Sequence, residues 1–258
     1  MNNLKDLRIL VTRPKPQGDA LCLSIKNLGG YPIHFPTIDF APPQNKQAFQ
    51  ESVKKLGEQD WLIFISPQAV YSSIPQIRRS WPNFPETVRF AAVGEGTANA
   101  LKQAGYNAIL FPDSEHNSEA LLDLPEFTQI RAKKIAVIRG DGGRELLDKT
   151  LAERGAEVLS VIAYQRILPN VNVSDCLERL RKHEIDIIVC TSFEGVKNLK
   201  ILLGDTGWPY LQEIPVIVMS ERIKLLAEDL GFRRIWVTPH ASEKALLATI
   251  VEIRKTFT

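Results

Sequence analysis

The sequence predicts an α/β fold made from a repeated unit of three strand–helix modules. Three observations carry that prediction. Short, uninterrupted apolar runs recur along the chain, the pattern of strands covered on both faces. Helical patterns of roughly 10 to 15 residues separate them, the alternation of βαβ units. A constant step of 126 positions, the distance from Arg13 to Arg139, also relates Gly29 to Gly155, Asp60 to Asp186, Ser66 to Ser192, Val70 to Val196, Glu95 to Glu221 and Gly105 to Gly231. Such a step, held without gaps, marks a duplication.

Taken in order, the strands are expected at Arg8–Val11, Trp61–Ile65, Phe90–Val93, Ile135–Ile138, Ile185–Val189 and Val216–Met219. Between the first strand and Gly29-Gly30, Leu21, Ile25 and Leu28 share one helix face. Leu146, Leu147, Leu151 and Gly155 repeat the arrangement, and Gly105 and Gly231 close two further helices where a left-handed residue is wanted. Two stretches break the pattern. "YPIHFPTIDFAPPQ" (Tyr31–Gln44) and "EVLSVIAYQRILPN" (Glu157–Asn170) are extended, and their prolines suit crossings or edge strands. If both are linkers, the middle of the chain forms one domain, and the first module joins the last third as the other. Simple front and back halves are the rival arrangement.

Composition narrows the function. The chain has 258 residues, 44% hydrophobic, with a formal net charge of +2. A near-neutral balance points to neither nucleic acid nor a membrane surface. Cys22, Cys176 and Cys190 form no CxxC pair, which favours a reducing compartment and no zinc site. Met1–Leu10 lacks the apolar core of a signal peptide, and no run reaches the roughly 18 residues of a membrane span. A cytoplasmic protein is expected.

Ligands of open parallel sheets bind beyond the carboxyl ends of the strands. This sequence places Thr12-Arg13, Ser66-Pro67, Gly94-Glu95-Gly96-Thr97, Arg139-Gly140, Thr191-Ser192 and Ser220 there. Each is read as leading straight into a helix, whose free amides and positive end receive an anion. Taken singly, each Ser or Thr reads as an ordinary N-cap. Six alike could line a cleft for a ligand with many negative groups, with Arg13 and Arg139 adding full charges. A surface ion pair is the even alternative for each arginine.

Other chemistries are missing. No G-x-x-x-x-G-K-[ST] loop occurs, and "VGEGTANA" has Asn99 where a dinucleotide fingerprint needs its third glycine. His34, His116, His183 and His240 lack metal spacing. His34 reads as structural, His116 and His240 as solvated, and the four tryptophans as packing residues. Tyr164, in "VIAYQR", stands in the second extended stretch. It reads either as an amphipathic edge-strand residue or as a hydroxyl donor beside the ligand; its ordinary pKa near 10 makes it a donor or weak acid rather than a base.

With these residues assembled, the chain resembles the uroporphyrinogen-III synthases. The stretches that carry the resemblance are "VTRP", "FISPQAV" (Phe64–Val70), "AVGEGTANAL" (Ala92–Leu101), "VIRGDGGRELL", "VIAYQR", "CTSFEGV", "MSERIKLLAEDLGF" and "EKALLATI". It implies two Rossmann-like or flavodoxin-like parallel-sheet domains joined by a two-stranded extended linker. One comprises 1–36 with 171–258 and the other 44–161, with 37–43 and 162–170 as linkers. It implies a lyase that closes linear hydroxymethylbilane to uroporphyrinogen III, inverting ring D and losing water, in tetrapyrrole and heme biosynthesis. No cofactor and no metal are implied.

By the same resemblance Tyr164 helps the terminal hydroxyl depart. Arg13, Ser66, Gly94, Thr97, Arg139, Gly140, Thr191, Ser192 and Ser220 are the residues expected to hold substrate. The place of Thr97 is taken in the second copy by Ile223, so a hydroxyl contact there falls to Ser220. A monomer is expected, with room for transient contact with the preceding pathway enzyme. Two rivals stand on the residues alone: a non-catalytic two-lobed binding or sensor protein for an anionic small molecule, and a transferase on a nucleotide-binding fold. The broken glycine fingerprint disfavours the second.

Overall fold

The computed structural model of the protein describes residues 4–113, 117–142 and 145–256. His116, and Gly143 and Arg144 of "VIRGDGGRELL", lie outside them. The chain opens with β1 (Arg8–Val11), α1 (Gln17–Asn27), β2 (Tyr31–His34) and β3 (Asp39–Ala41). It continues through α2 (Lys46–Lys54), β4 (Trp61–Phe64), α3 (Pro67–Ser80), β5 (Arg89–Ala92), α4 (Glu95–Gln103) and β6 (Ile109–Leu110). Next come α5 (Ser118–Leu122), β7 (Lys134–Gly140), α6 (Leu146–Glu153), β8 (Glu157–Ile167) and α7 (Val173–Arg181). The last third holds β9 (Ile187–Cys190), α8 (Phe193–Leu211), β10 (Val216–Val218), α9 (Glu221–Asp229), β11 (Ile235–Val237) and α10 (Glu243–Arg254).

These elements fall into two compact units. Unit 1 is Met1–Asp39 with Ile167–Thr258; unit 2 is Phe40–Arg166. The sheet of unit 1 has the order β11-β10-β9-β1-β2, and β1 lies parallel to both neighbours, Ile9 opposite Pro32 on one side and Ile187 on the other. Pro32 is tolerated because β2 is an edge strand and needs no second row of amide donors. The sheet of unit 2 has the order β3-β8-β7-β4-β5-β6. A step of about 126 residues carries β1, β2, β4, β5 and β6 onto β7, β8, β9, β10 and β11, and the two orders then coincide except for β3, which adds at one edge of unit 2 without a counterpart.

Alternation along each strand feeds two cores. In unit 1, Ile9, Val11, Ile187 and Val189 pack under α1 and α10 with Leu21, Ile25, Leu246 and Ile250. Leu10, Ile188 and Cys190 face the other way, beneath α7, α8 and α9. In unit 2, Leu62, Phe64, Ala136 and Ile138 pack with α2, α3 and α4, while Ile63, Ile135 and Val137 pack with α5 and α6. Both faces of each strand are therefore apolar, which is why its sequence is a continuous run. Each such side chain contributes about 1.5–3 kcal/mol on burial. Gly29 and Gly155 end α1 and α6 at φ +84° and +87°, where a side chain would strain the backbone.

The core arrangement fixes one switch point in each unit. The helix after β1 covers one face of its sheet and the helix after the adjacent β9 covers the other; β7 and β4 stand in the same relation. Chain segments diverge there, leaving strand ends open beyond the sheet.

Candidate functional site

At the switch point of unit 1, Thr12 caps β1. Its hydroxyl donates to the Val189 carbonyl at 2.7 Å, tying the ends of β1 and β9 together. The Thr37 hydroxyl donates to the Thr12 carbonyl at 3.3 Å, and Asn198 of α8 donates its amide to the Thr37 carbonyl at 2.8 Å. Ser192 is the N-cap of α8, its hydroxyl accepting from the Gly195 amide at 3.0 Å, with half-buried Thr191 before it. Ser220 caps α9 in the same way, accepting from Ile223 at 3.3 Å. Arg13 stands beside β1 with its side chain 16% exposed; its guanidinium donates to Gln17 at 3.1 Å and lies 3.9 Å from Glu243. Burial pulls its pKa below the ordinary arginine value, and Glu243 opposes that. His34 lies against Asp19 and the Arg13 carbonyl, the structural place expected for it.

At the switch point of unit 2, Ser66 caps α3. Its Oγ accepts from the Ala69 amide and also lies 3.1 Å from the Tyr164 hydroxyl. Tyr164 is 1% exposed, its ring edge-on to Phe40 at 5.4 Å between centroids. Gly140, at the end of β7, lies under that ring: a Cβ there would sit 2.6 Å from two ring carbons. Gly94 is the N-cap of α4, and Thr97, one turn on, is 4% exposed. Arg139 is 5% exposed and pairs with Asp148 of α6 at 2.6 Å, donating also to the Gly142 carbonyl at 3.2 Å.

Two expectations need correction. Helices follow the strand ends at once after β4, β5, β9 and β10, where Ser66, Gly94, Ser192 and Ser220 are extended N-caps. After β1 and β7 five residues intervene, and Pro16 and Glu145 offer no side-chain cap. Nor is Arg139 a free charge or a surface ion pair. Its partner Asp148 is inside the unit, and a compensated buried pair presents little net charge to a ligand. Sequence reasoning passed over Thr37, Asn198, Phe40 and Asp148. None carries a spacing signal: Thr37, Asn198 and Phe40 meet their partners through the sheet order, and Asp148 meets Arg139 through the turn between β7 and α6.

The cysteines are unreactive by placement. Burial pushes the Cys176 and Cys190 thiols up to about 12, and the Cys190 sulfur lies 3.6 Å from the Thr12 hydroxyl oxygen. Cys22 is half-buried, with a smaller upward shift from the same cause. Since only thiolate reacts, iodoacetamide at pH 8 is expected to label Cys22 first in the native chain and the other two only on unfolding. Peptide mapping of the modified chain checks this; labelling of Cys190 at the rate of Cys22 would overturn its burial. Among the described residues no cluster of His, Cys, Asp or Glu could hold a metal ion, and no helix is long and apolar enough to cross a membrane.

Comparison with known proteins places the whole chain. The family model described as uroporphyrinogen-III synthase HemD matches residues 19–248, a span that contains every candidate residue except Arg13. The uroporphyrinogen-III synthase of Escherichia coli K12 is 36% identical over 250 residues, covering 95% of this chain and 100% of the relative. That of Salmonella typhimurium LT2 is 34% identical over 247 residues, with the same coverage. Among solved structures, a mutant uroporphyrinogen III synthase from Thermus thermophilus superimposes with a TM-score of 0.60 at 19% identity, covering 96% of this chain and 99% of that one. Uroporphyrinogen-III synthetase from Helicobacter pylori gives 0.59 at 15% identity over 96% and 99%. The structural likenesses speak for the fold; the family match and full-length identity together show that the chain belongs to the uroporphyrinogen-III synthase family.

Proposed function

We infer that this protein is a uroporphyrinogen-III synthase, a lyase that closes linear hydroxymethylbilane to uroporphyrinogen III with inversion of ring D and loss of water. The observation that carries the reading is identity of 36% across the whole length of a relative so named. The geometry agrees with the chemistry. The substrate bears many acetate and propionate groups, and the N-caps Ser66, Gly94, Ser192 and Ser220 sit on helix starts whose amides and positive ends favour carboxylates.

In the mechanism we propose, Tyr164 gives its phenolic proton to the departing hydroxyl, which leaves as water. Ser66 Oγ, 3.1 Å away, donates to the phenolate that remains. The azafulvene cation so formed is attacked by the substituted carbon of ring D, and the resulting spiro intermediate opens and recloses with the ring reversed. Unassisted closure gives the uninverted isomer, so the protein's main contribution is to hold a folded conformation of the substrate. Gly140 leaves room for the Tyr164 ring, and Thr191, Thr97 and Arg13 complete the strand-end surfaces. Arg139 acts on the site by fastening the end of β7 to α6.

The wider reading has support of its own. Coinciding sheet orders at a step of about 126 residues support an internal duplication. The unit boundaries at Asp39/Phe40 and Arg166/Ile167 support 37–43 and 162–170 as linkers between the domains. A cytoplasmic monomer in transient contact with the preceding pathway enzyme is the setting we propose for it.

Tyr164→Phe tests the assignment. The variant keeps the ring against Gly140 and Phe40, so its melting should match the parent to within about 1 kcal/mol. Its kcat should fall about a hundredfold. Freshly made hydroxymethylbilane is supplied and the isomers are resolved. Parental turnover in the variant would remove Tyr164 from the chemistry, and formation of isomer I alone by the parent would remove the synthase reading, leaving a non-catalytic binding protein.

A further inference from the structure

Unit 2 carries a groove that the strand-end cluster does not use. It runs between α2 and α3, has a volume of about 440 Å³, and is floored by Phe49, Ala163 and the ring of Phe40. That is the size of a small-molecule site, in the usual range of about 300–1,000 Å³. Two cations stand on its rim, Lys46 at the start of α2 and Arg79 near the end of α3. Neither forms an ion pair among the described residues, and Arg79 makes only a long contact to Gln76 at 3.5 Å. No carboxylate lines the groove; its other polar groups are amides and a hydroxyl, such as Gln76 and Ser72.

We propose that this groove binds a small organic anion with a flat apolar body, an aromatic carboxylate or sulfonate. The apolar floor takes the ring by excluding water from buried aromatic surface. Lys46 and Arg79 take the acid group, and the amides satisfy its remaining lone pairs. The site is separate from the Ser66–Tyr164 hydroxyl pair, because Phe40 forms part of the groove floor and meets the Tyr164 ring edge-on. An occupant would therefore be felt at Tyr164 through the Phe40 ring and the adjoining Ala163.

The test is a fluorescence titration of the whole chain with 8-anilinonaphthalene-1-sulfonate. Saturable enhancement is expected, weakening as salt is added. Lys46→Ala with Arg79→Ala should weaken it about tenfold or more. Ser72→Phe, which fills the groove, should abolish it. Lys26→Ala with Arg181→Ala removes the same net charge from unit 1 and should leave binding unchanged. The proposal falls if the groove pair binds the dye like the parent, or if the control pair weakens it equally. Thermal melts confirm that each variant is folded; should Ser72→Phe not fold, the two charge pairs decide the matter, since all four of those side chains are exposed.

Discussion

Arg139→Ala is expected to destabilise unit 2 by about 1–3 kcal/mol, the cost of leaving a mostly buried polar group without its partner. Arg139 and Asp148 have side chains only 6% and 19% exposed, and among the described residues Asp148 Oδ1 has no hydrogen-bond partner even with the arginine in place. Truncation leaves the mostly buried Asp148 carboxylate without its counter-charge. The loss should appear as faster amide hydrogen exchange in β7 and α6, a local measure that avoids treating two units as one unfolding transition. The control is Arg139→Leu with Asp148→Leu. Removing both charges should restore most of the lost stability, because replacing a buried pair by apolar groups is often close to neutral. Should the double variant be as unstable as the single one, the ion pair is not what Arg139 contributes. Any fall in activity of Arg139→Ala should then track the folded fraction rather than appear as a higher KM in the folded enzyme.

Gly140→Ala should damage both stability and turnover through a single added carbon atom. The new Cβ would lie 2.6 Å from Cε2 and Cζ of Tyr164 and 2.9 Å from its hydroxyl oxygen. The Tyr164 ring packs in the core of unit 2, with Phe40 against it, and cannot yield freely. Overpacking of this kind costs about 1–3 kcal/mol. The ring must turn or shift, and its hydroxyl leaves the hydrogen bond to Ser66, so kcat should fall at least as far as in Tyr164→Phe. Combining Gly140→Ala with Tyr164→Leu separates the two effects: stability should recover and turnover should not. Unaltered turnover in Gly140→Ala would mean that the Tyr164 hydroxyl is not where the reaction needs it.

Much of this architecture is legible in the sequence, for a stated reason. A strand covered on both faces must be apolar at every position, so Trp61–Phe64 and Ile187–Cys190 declare themselves without any alternation to decode. Ser66, Ser192 and Ser220 are legible too, since a hydroxyl before a helical run satisfies an otherwise free amide. What stayed hidden depends on partners that only the folded chain brings together. Tyr164 reads as an edge-strand residue, but β3, more than a hundred positions earlier, adds outside β8 and encloses it. Asp148 looks like one more polar residue on a helix until β7 delivers Arg139 to it. The five-residue gaps after β1 and β7 are invisible because polar turns and first helical turns draw on the same residue types.

The sheet order of unit 1 has a bearing on how the chain matures on the ribosome. β1 is flanked by β2 and by β9, and β9 begins at Ile187. At about 5–20 residues per second, the two are made roughly ten to forty seconds apart. Unit 2, being one uninterrupted stretch, can condense during that interval. The apolar segment Arg8–Val11 must meanwhile wait with one flank bare, which makes it the place where a nascent-chain holdase has most to protect.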